Sequence, residues 1–510
     1  MNNIIEIFQH NVKNNPDKIA VIFQEKHYTY TTLESDVKRM SKYLEKCNIQ
    51  KNTHIILFLD NSYEYILCML SIANLGAVLI PLNTTMKAPV INKAIESTNT
   101  THIITNHSLK KSFGNESSLN IDNSNIISIE QYFSETDIDS YMLNQSKISY
   151  KEDYILTMTS GSTGDPKPIV FTQETKITRS LLAARDLYNL DNNEVIIAAS
   201  PLYHSLGQRL VLLPLLIGGT SVLLKKFTPQ IWIQTVKRTK VTFTIAIASH
   251  LEILVDMLAD ETALNSLHTI VSSSSLLKPD IKKKCIERFN CDFHECYGAS
   301  EVGIVTNLSP EDAKKSINSV GLPLKFVDLK IVDNNKNEVS CGTIGEIICK
   351  SQTAFSRYYN NELKTKESVV DGYFYTGDLG YLDDNGFLYL SGRKKEIIIV
   401  GGTNVYPIDI ESVIGEVEGV KECSVIGVDD TYFGEAILAV LVVDQNSFNL
   451  KDVKVSCIKN LADYQQPMAF EIVEKLPKNN LGKIMKHELQ KMFQGYDATK
   501  GLRKLIQKKG

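Results

Sequence analysis

From Ile19 onward, short runs of β-branched and aliphatic residues alternate with stretches whose apolar positions recur at helical spacing. The first cycle reads HIILFLD at 54–60, EYILCMLSIANLG at 64–76 and AVLIPL at 77–82. Further strand-like runs follow: VIIAASPL at 195–202, GGTSVLLKKF at 218–227, KVTFTIAIAS at 240–249 and HTIVSSSS at 268–275. Strands separated by helices predict parallel sheets covered by helices, with ligands expected at the loops that follow the strands. After Val327 the pattern changes to hairpins, DLKIVDNNKNEVS, GEIICKS and GFLYLSG, the last entered through the Asp384–Asn385–Gly386 turn. Beyond Arg393 the runs CSVIGVDD, AILAVLVVD and AFEIVEKL predict βαβ-type elements, enough for a small separate domain. The expected fold is therefore α/β. A large N-terminal domain, 1–394, has layered α/β sheets and a β-rich subdomain, and a small α+β C-terminal domain covers 395–510.

Composition narrows the function. Of 510 residues, 43% are hydrophobic and 22% charged, which suits a folded globular chain. Lys and Arg number 55 and Asp and Glu 59, so a net charge of −4 supplies no general attraction to nucleic acid or to an anionic membrane. No nucleic-acid partner is expected. Nine cysteines, an odd number without a CxxC pair, argue against a disulfide framework or a zinc site and suit a cytoplasmic protein. The N-terminal stretch turns polar within a few residues, unlike a signal peptide. The most apolar stretch, 206–224, is interrupted by Pro214 and the Gly218–Gly219 pair, so no integral membrane segment is expected.

Candidate chemistry begins at 159–167, TSGSTGDPK, after the strand-like YILTM. Backbone N–H groups and hydroxyls of Thr159, Ser160, Gly161, Ser162, Thr163 and Gly164 can surround phosphate oxygens while Lys167 supplies positive charge. The segment lacks the GxxxxGK[ST] spacing of a Walker A loop, which disfavours a phosphoryl-transfer NTPase. Downstream come YGASE at 297–301, YTGDL at 375–379, GRKKEIIIVGG at 392–402 and LPKNNLGK at 476–483. Tyr297 offers a ring for adenine to stack on. Glu301 is a hard oxygen ligand suited to Mg²⁺. Asp378 can accept hydrogen bonds from both ribose hydroxyls, and Arg393 can contact ribose or phosphate. Lys483, in a glycine-preceded loop, can neutralise charge on a carboxylate and a phosphate as they react.

These five segments, in this order, resemble the motif series of the adenylate-forming (AMP-binding) superfamily, which includes acyl- and aryl-CoA synthetases, peptide-synthetase adenylation domains and firefly luciferase. The resemblance runs from about Ile19 to His487. It implies ATP and Mg²⁺ as cofactors, an acyl-adenylate intermediate, Lys483 and Glu301 as catalytic residues, and binding of AMP by the 159–164 loop, Lys167, Tyr297, Ser300, Asp378 and Arg393. It also implies a mobile C-terminal domain that turns about Lys395 and brings a thiol-side loop, Gly401 and Gly402, to the site. Segment 199–208, ASPLYHSLGQ, lacks the Asp of amino-acid-activating relatives and resembles the PLFHxxG loop of the CoA synthetases, where the histidine, here His204, lines or gates the acyl pocket. The acid is thus expected to lack an α-amine. Where acyl-CoA synthetases resemble SGAAPL, residues 272–277 read SSSSLL, so the hydroxyls of Ser273 and Ser275 narrow the pocket and disfavour a very long chain. A proline at 168, where the family often has glycine, leaves the donor count of the phosphate loop open.

The expected function is an AMP-forming acid–thiol ligase that uses CoA. The motifs do not separate CoA from the phosphopantetheine of a carrier protein, since both attack with the same thiol. A non-catalytic acyl-adenylate-binding protein is the further alternative, disfavoured by the presence of Lys167, Glu301, Asp378 and Lys483.

Overall fold

The computed structural model describes residues 2–113, 119–134, 140–143, 148–159, 167–258, 264–479 and 482–499. The predicted phosphate-loop residues Ser160, Gly161, Ser162, Thr163 and Gly164 lie outside these. Chain contacts define two compact units. The first comprises residues 1–317, 324–328 and 350–374, and the second 318–323, 329–349 and 375–510.

The alternation of the sequence becomes two layered sheets in the first unit. One is seven-stranded, in the order Arg357–Tyr358, Lys167–Thr172, Asp153–Thr159, Val78–Pro81, His54–Phe58, His102–Thr105 and Ile126–Ser128. The other runs from Gly303–Leu308 through Asp292–Ala299, Thr269–Ser273, Phe243–Ile247, Val195–Ala198, Thr220–Leu223 and Ile19–Phe23 to Lys26–Thr29. Most inner strands are parallel and almost wholly buried, which is why they read as continuous apolar runs rather than alternating ones. Their faces are closed by helices such as Tyr63–Leu75, N-capped by Ser62 and ended by Gly76 in the left-handed region. Trp232, Phe289 and Phe293 anchor the core beneath the second sheet.

In the second unit the strand Tyr373–Leu382 pairs antiparallel with Leu388–Arg393, putting Asp378 opposite Arg393. Strands Ile398–Val400 and Thr403–Val405 form a hairpin closed by Gly401 and Gly402 at φ 57° and 85°, the conformation of a two-residue primed turn. The βαβ expectation for the C-terminal runs needs a correction. Val420–Asp430 and Gly434–Val443 form an antiparallel hairpin, because the three residues between them cannot make a crossover. Only the last pair is parallel: Ala469–Ile472 beside Gly434–Val443, joined through helix Leu450–Asn460. The hairpin buries Val425, Ile437, Ala439 and Leu441 on one face and Ile426, Leu438 and Val440 on the other.

One buried charge pair stiffens the strand that leads to the 297–301 segment. Lys282, on helix Pro279–Phe289, lies 2.5 Å from Glu295 of Asp292–Ala299, with side-chain exposures of 1% and 2%. The carboxylate also accepts Leu277 N–H at 3.0 Å, and the ammonium donates to the Ile317 carbonyl at 3.1 Å. Burial pushes the Glu295 carboxyl up, and Lys282 opposes that rise. Removing one partner strands the other charge, so Lys282→Met is expected to cost about 3–5 kcal/mol in urea unfolding, and Lys282→Met/Glu295→Leu to recover much of it. Equal stability of Lys282→Met and parent contradicts this.

Candidate active site

Two antiparallel strands flank the phosphate-loop segment. Strands Asp153–Thr159 and Lys167–Thr172 pair antiparallel with Thr159 opposite Lys167, so the loop departs and returns at those two residues. Pro168 continues the strand opposite Met158 and its carbonyl accepts Tyr359 N–H at 2.9 Å, so the proline is held inside regular pairing. The strand runs through Thr172, an N-cap, into helix Gln173–Leu182.

Arg179 projects from that helix into the interior. Its guanidinium donates to three backbone carbonyls: Nε to Thr353 at 2.7 Å, Nη1 to Ser300 at 3.0 Å and Nη2 to Glu301 at 2.9 Å. Phe171 packs its ring face against it, 4.6 Å from Cζ, and also against Lys176 Nζ at 4.3 Å. Burial, and then the positive charge of Arg209, lower the Arg179 pKa to about 9, while Glu301 works the other way. The guanidinium fixes the backbone of Ser300–Glu301, and the Tyr358 hydroxyl, donating to Glu301 Oε1 at 2.9 Å, fixes the carboxylate. Tyr297 is buried at the end of its strand, and Ser300 is exposed. Gly298 is dictated by sterics: a Cβ there would lie 2.0 Å from the Gly303 carbonyl oxygen.

His204 precedes helix Ser205–Ile217 as its N-cap residue, its ring 4.4 Å from that of Tyr203. Burial lowers its pKa to about 4, so the imidazole is neutral across the physiological range. Gly207 has the same steric reason as Gly298, since a Cβ would lie 2.3 Å from the Pro201 carbonyl oxygen, and this accounts for the glycine three residues after the histidine. Ser273 is half-buried at the end of Thr269–Ser273, whereas Ser275 is exposed.

The second unit brings together Asp378, Arg393 and Lys483. Arg393 Nε lies 2.9 Å from Asp378 Oδ1. Glu346 accepts Gly377 N–H at 3.2 Å and Lys394 Nζ at 2.9 Å, steadying both strands. Lys483 is held in a tight turn: its N–H donates to Asn479 Oδ1 at 3.0 Å and its carbonyl accepts Asn479 N–H at 2.9 Å. Crowding by protein, and then the Arg393 charge, lower the Lys483 pKa, while Asp378 and Glu396 hold it up. The residue nevertheless keeps an exposed surface. Lys395 is exposed in the short turn Lys394–Glu396.

The description "AMP-binding enzyme" matches residues 8–359, and "AMP-binding enzyme C-terminal domain" matches 409–483. The chain belongs to the AMP-binding enzymes. It is similar to the 2-succinylbenzoate–CoA ligase of Listeria monocytogenes serotype 4b, 29% identical across 94% of this chain and 98% of that one. The long-chain-fatty-acid–CoA ligase of Bacillus subtilis is 26% identical across 93% and 91%. Among solved structures, the o-succinylbenzoate CoA synthetase of Bacillus subtilis in complex with AMP superimposes with a TM-score of 0.85 at 26% identity, covering 95% of this chain and 98% of that one.

An AMP-binding enzyme with ATP implies Mg²⁺. Among the described residues no three His, Cys, Asp or Glu side chains form a cage of their own. One oriented carboxylate, Glu301, is what Mg²⁺ asks of a protein when phosphates and water supply its other oxygens, so the residues fit the ion. Sequence reasoning missed Arg179 and Tyr358. The local signal for Arg179 is slight: it shares a helix face with Thr175 and Lys176, which are buried with it. Arg179→Met takes its donor from the Thr353 and Ser300 carbonyls, while the Glu301 carbonyl keeps the Phe355 N–H, and is expected to lower stability by about 2 kcal/mol and to raise the Mg²⁺ concentration needed for turnover. Urea unfolding and a Mg²⁺ titration indistinguishable from parent would remove Arg179 from this role.

Proposed function

We propose that this AMP-binding enzyme is an acid–CoA ligase for a carboxylic acid lacking an α-amine. The observation that carries the reading is the convergence of Lys483, Arg393 and Asp378 in one unit, the charge pattern that a carboxylate attacking a nucleotide α-phosphate requires. A carboxylate oxygen attacks the α-phosphorus of ATP and the bond to pyrophosphate breaks, giving acyl-AMP. A thiolate then attacks the acyl carbonyl and AMP leaves. The barrier to the first step is charge crowding, so catalysis is positioning plus electrostatic stabilisation.

In this reading the loop from Thr159 to Gly164 and Lys167 hold the phosphates, Tyr297 packs against adenine, Ser300 contacts phosphate, and Asp378 and Arg393 hold the ribose side. Glu301 holds Mg²⁺, which neutralises phosphate charge when bound. Lys483 bridges carboxylate and α-phosphate. Neutral His204 lines the acyl pocket with Ser273, and Ser275 stands at its rim. The related ligases named above act on aromatic and aliphatic acids, and the absence of an acid in 199–208 supports the same class here. CoA is the acceptor in this reading, with carrier-protein phosphopantetheine as the competing thiol. No described helix is long and apolar enough to cross a membrane.

A panel of acids with ATP, scored for pyrophosphate, AMP and thioester with either CoA or a holo-carrier protein, tests this. AMP, pyrophosphate and acyl-CoA are expected, and ADP as product overturns it. Lys483→Ala is expected to slow acyl-AMP formation by about 10²–10³-fold while thioester formation from prepared acyl-AMP survives. Equal loss of both half-reactions contradicts the role.

Two reactions share one carbonyl, so the lysine face must give way to the thiol face carrying Gly401 and Gly402. Residues 395–510 turn about Lys395 in this account. Proline fixes φ near −65° and restricts the preceding residue, so Lys395→Pro is expected to trap one orientation, sparing adenylation and lowering thioester formation by orders of magnitude. Parent rates for both halves in the folded variant would place the hinge elsewhere.

A further inference from the structure

Helix Ser205–Ile217 is apolar and buried along most of its length, yet its first turns carry polar groups that find no partner among the described residues. Gln208 is fully buried. Its Oε1 accepts Lys176 Nζ at 2.7 Å, which fixes the amide orientation and leaves Nε2 as a buried donor without a partner among the described residues. Arg209, the next residue, has Nε and Nη2 buried and likewise without partners. One turn earlier, His204 Nε2 is buried without a partner too. Buried guanidinium donors are among the costliest groups to leave unpaired, so such a set is built for something that arrives from outside.

The charges agree on its sign. Arg209 acts electrostatically on Arg179, Tyr188 and Cys296, the last being the residue before Tyr297, so the guanidinium lies beside the strand that ends in the 297–301 segment. Arg179 in turn acts on Lys176, whose charged form burial strongly disfavours, so the positive charge of this neighbourhood is that of the two guanidinium groups. Of the groups acting on Arg179, Glu301 is the one carboxylate, and it faces the Tyr358 hydroxyl. Two guanidinium groups against one carboxylate leave a positive interior next to the histidine of the acyl pocket.

We propose that Arg209, with the Gln208 amide and His204, forms a subsite for a second anionic group on the acid substrate, so that the enzyme activates acids bearing a carboxylate at the end remote from the reacting one. The proposal rests on the acid-ligase reading. It names a substrate class that the apolar acyl pocket of a fatty-acid ligase would reject, because a dehydrated carboxylate needs charged donors. A guanidinium supplies two parallel N–H groups matched to a carboxylate, and Nε with Nη2 is such an edge.

The test uses the full-length enzyme with dicarboxylic acids of graded length, each beside its half-amide, in which the remote carboxylate is neutral. The parent is expected to prefer the diacid by about 10- to 100-fold in kcat/KM, and Arg209→Met to bring that ratio to near one without raising KM for ATP. Arg209→Lys, which keeps the charge but loses the fork, is expected to fall between and serves if Arg209→Met does not fold. Calorimetric binding of the same pairs reads the subsite without turnover. A parent that makes acyl-AMP from half-amide and diacid alike overturns the subsite while leaving the ligase reading intact. A rise in KM for ATP with an unchanged diacid ratio assigns Arg209 to the phosphates and also overturns it. Diacid binding with Arg209-dependent discrimination, but no pyrophosphate from any acid, supports the subsite and sinks the ligase reading.

Discussion

The site of the first unit depends on a charge taken out of water. Arg179 is buried, and its guanidinium is tolerable there because three carbonyls and an aromatic face replace its hydration. The donors form a rigid fork, so the carbonyls of Ser300, Glu301 and Thr353 are fixed relative to a helix that grows directly out of the strand Lys167–Thr172. A lysine could not span those acceptors. Two segments more than a hundred residues apart in the chain thereby become one rigid platform, with the Glu301 carboxylate aimed by Tyr358.

The second unit holds its cations under the opposite regime. Arg393 is half-exposed and paired, and Lys483 lies beside it, its positive charge disfavoured by crowding and by that neighbour. Asp378 and Glu396 offset that cost only in part for Lys483, whose pKa stays below the ordinary lysine value. In the proposed reaction a carboxylate and a triphosphate would complete the neutralisation of Lys483, so binding energy that the free protein lacks becomes available as charge develops. The same logic runs through the helix that begins after His204, where unpaired donors wait for a ligand rather than contributing to stability.

Much of this was legible in the sequence because local sterics wrote it there. The glycines of the 297–301 and 201–207 segments mark places where another backbone approaches too closely for a Cβ, and the apolar runs mark strands buried on both faces. The apolar runs of the C-terminal region suggest βαβ, yet the spacing already speaks for a hairpin: three residues between Asp430 and Gly434 are too few for a crossover. Arg179, Gln208 and Arg209 were not legible. Their burial is decided by strands far along the chain, and in the sequence a charged residue on a helix reads as solvated. Ser275, read as pocket wall, stands exposed because the chain has already left the strand, with Ser274 at φ 78° turning it outward.

The central claim is that the substrate's own carboxylate oxygen attacks the α-phosphorus of ATP. Turnover of an acid whose carboxyl group is labelled with heavy oxygen tests it most directly, by mass spectrometry of the nucleotide product. One labelled oxygen is expected in AMP, carried over when the acyl group leaves to the thiol. Label in inorganic phosphate with ADP as the nucleotide product, or unlabelled AMP alongside labelled thioester, would contradict the account.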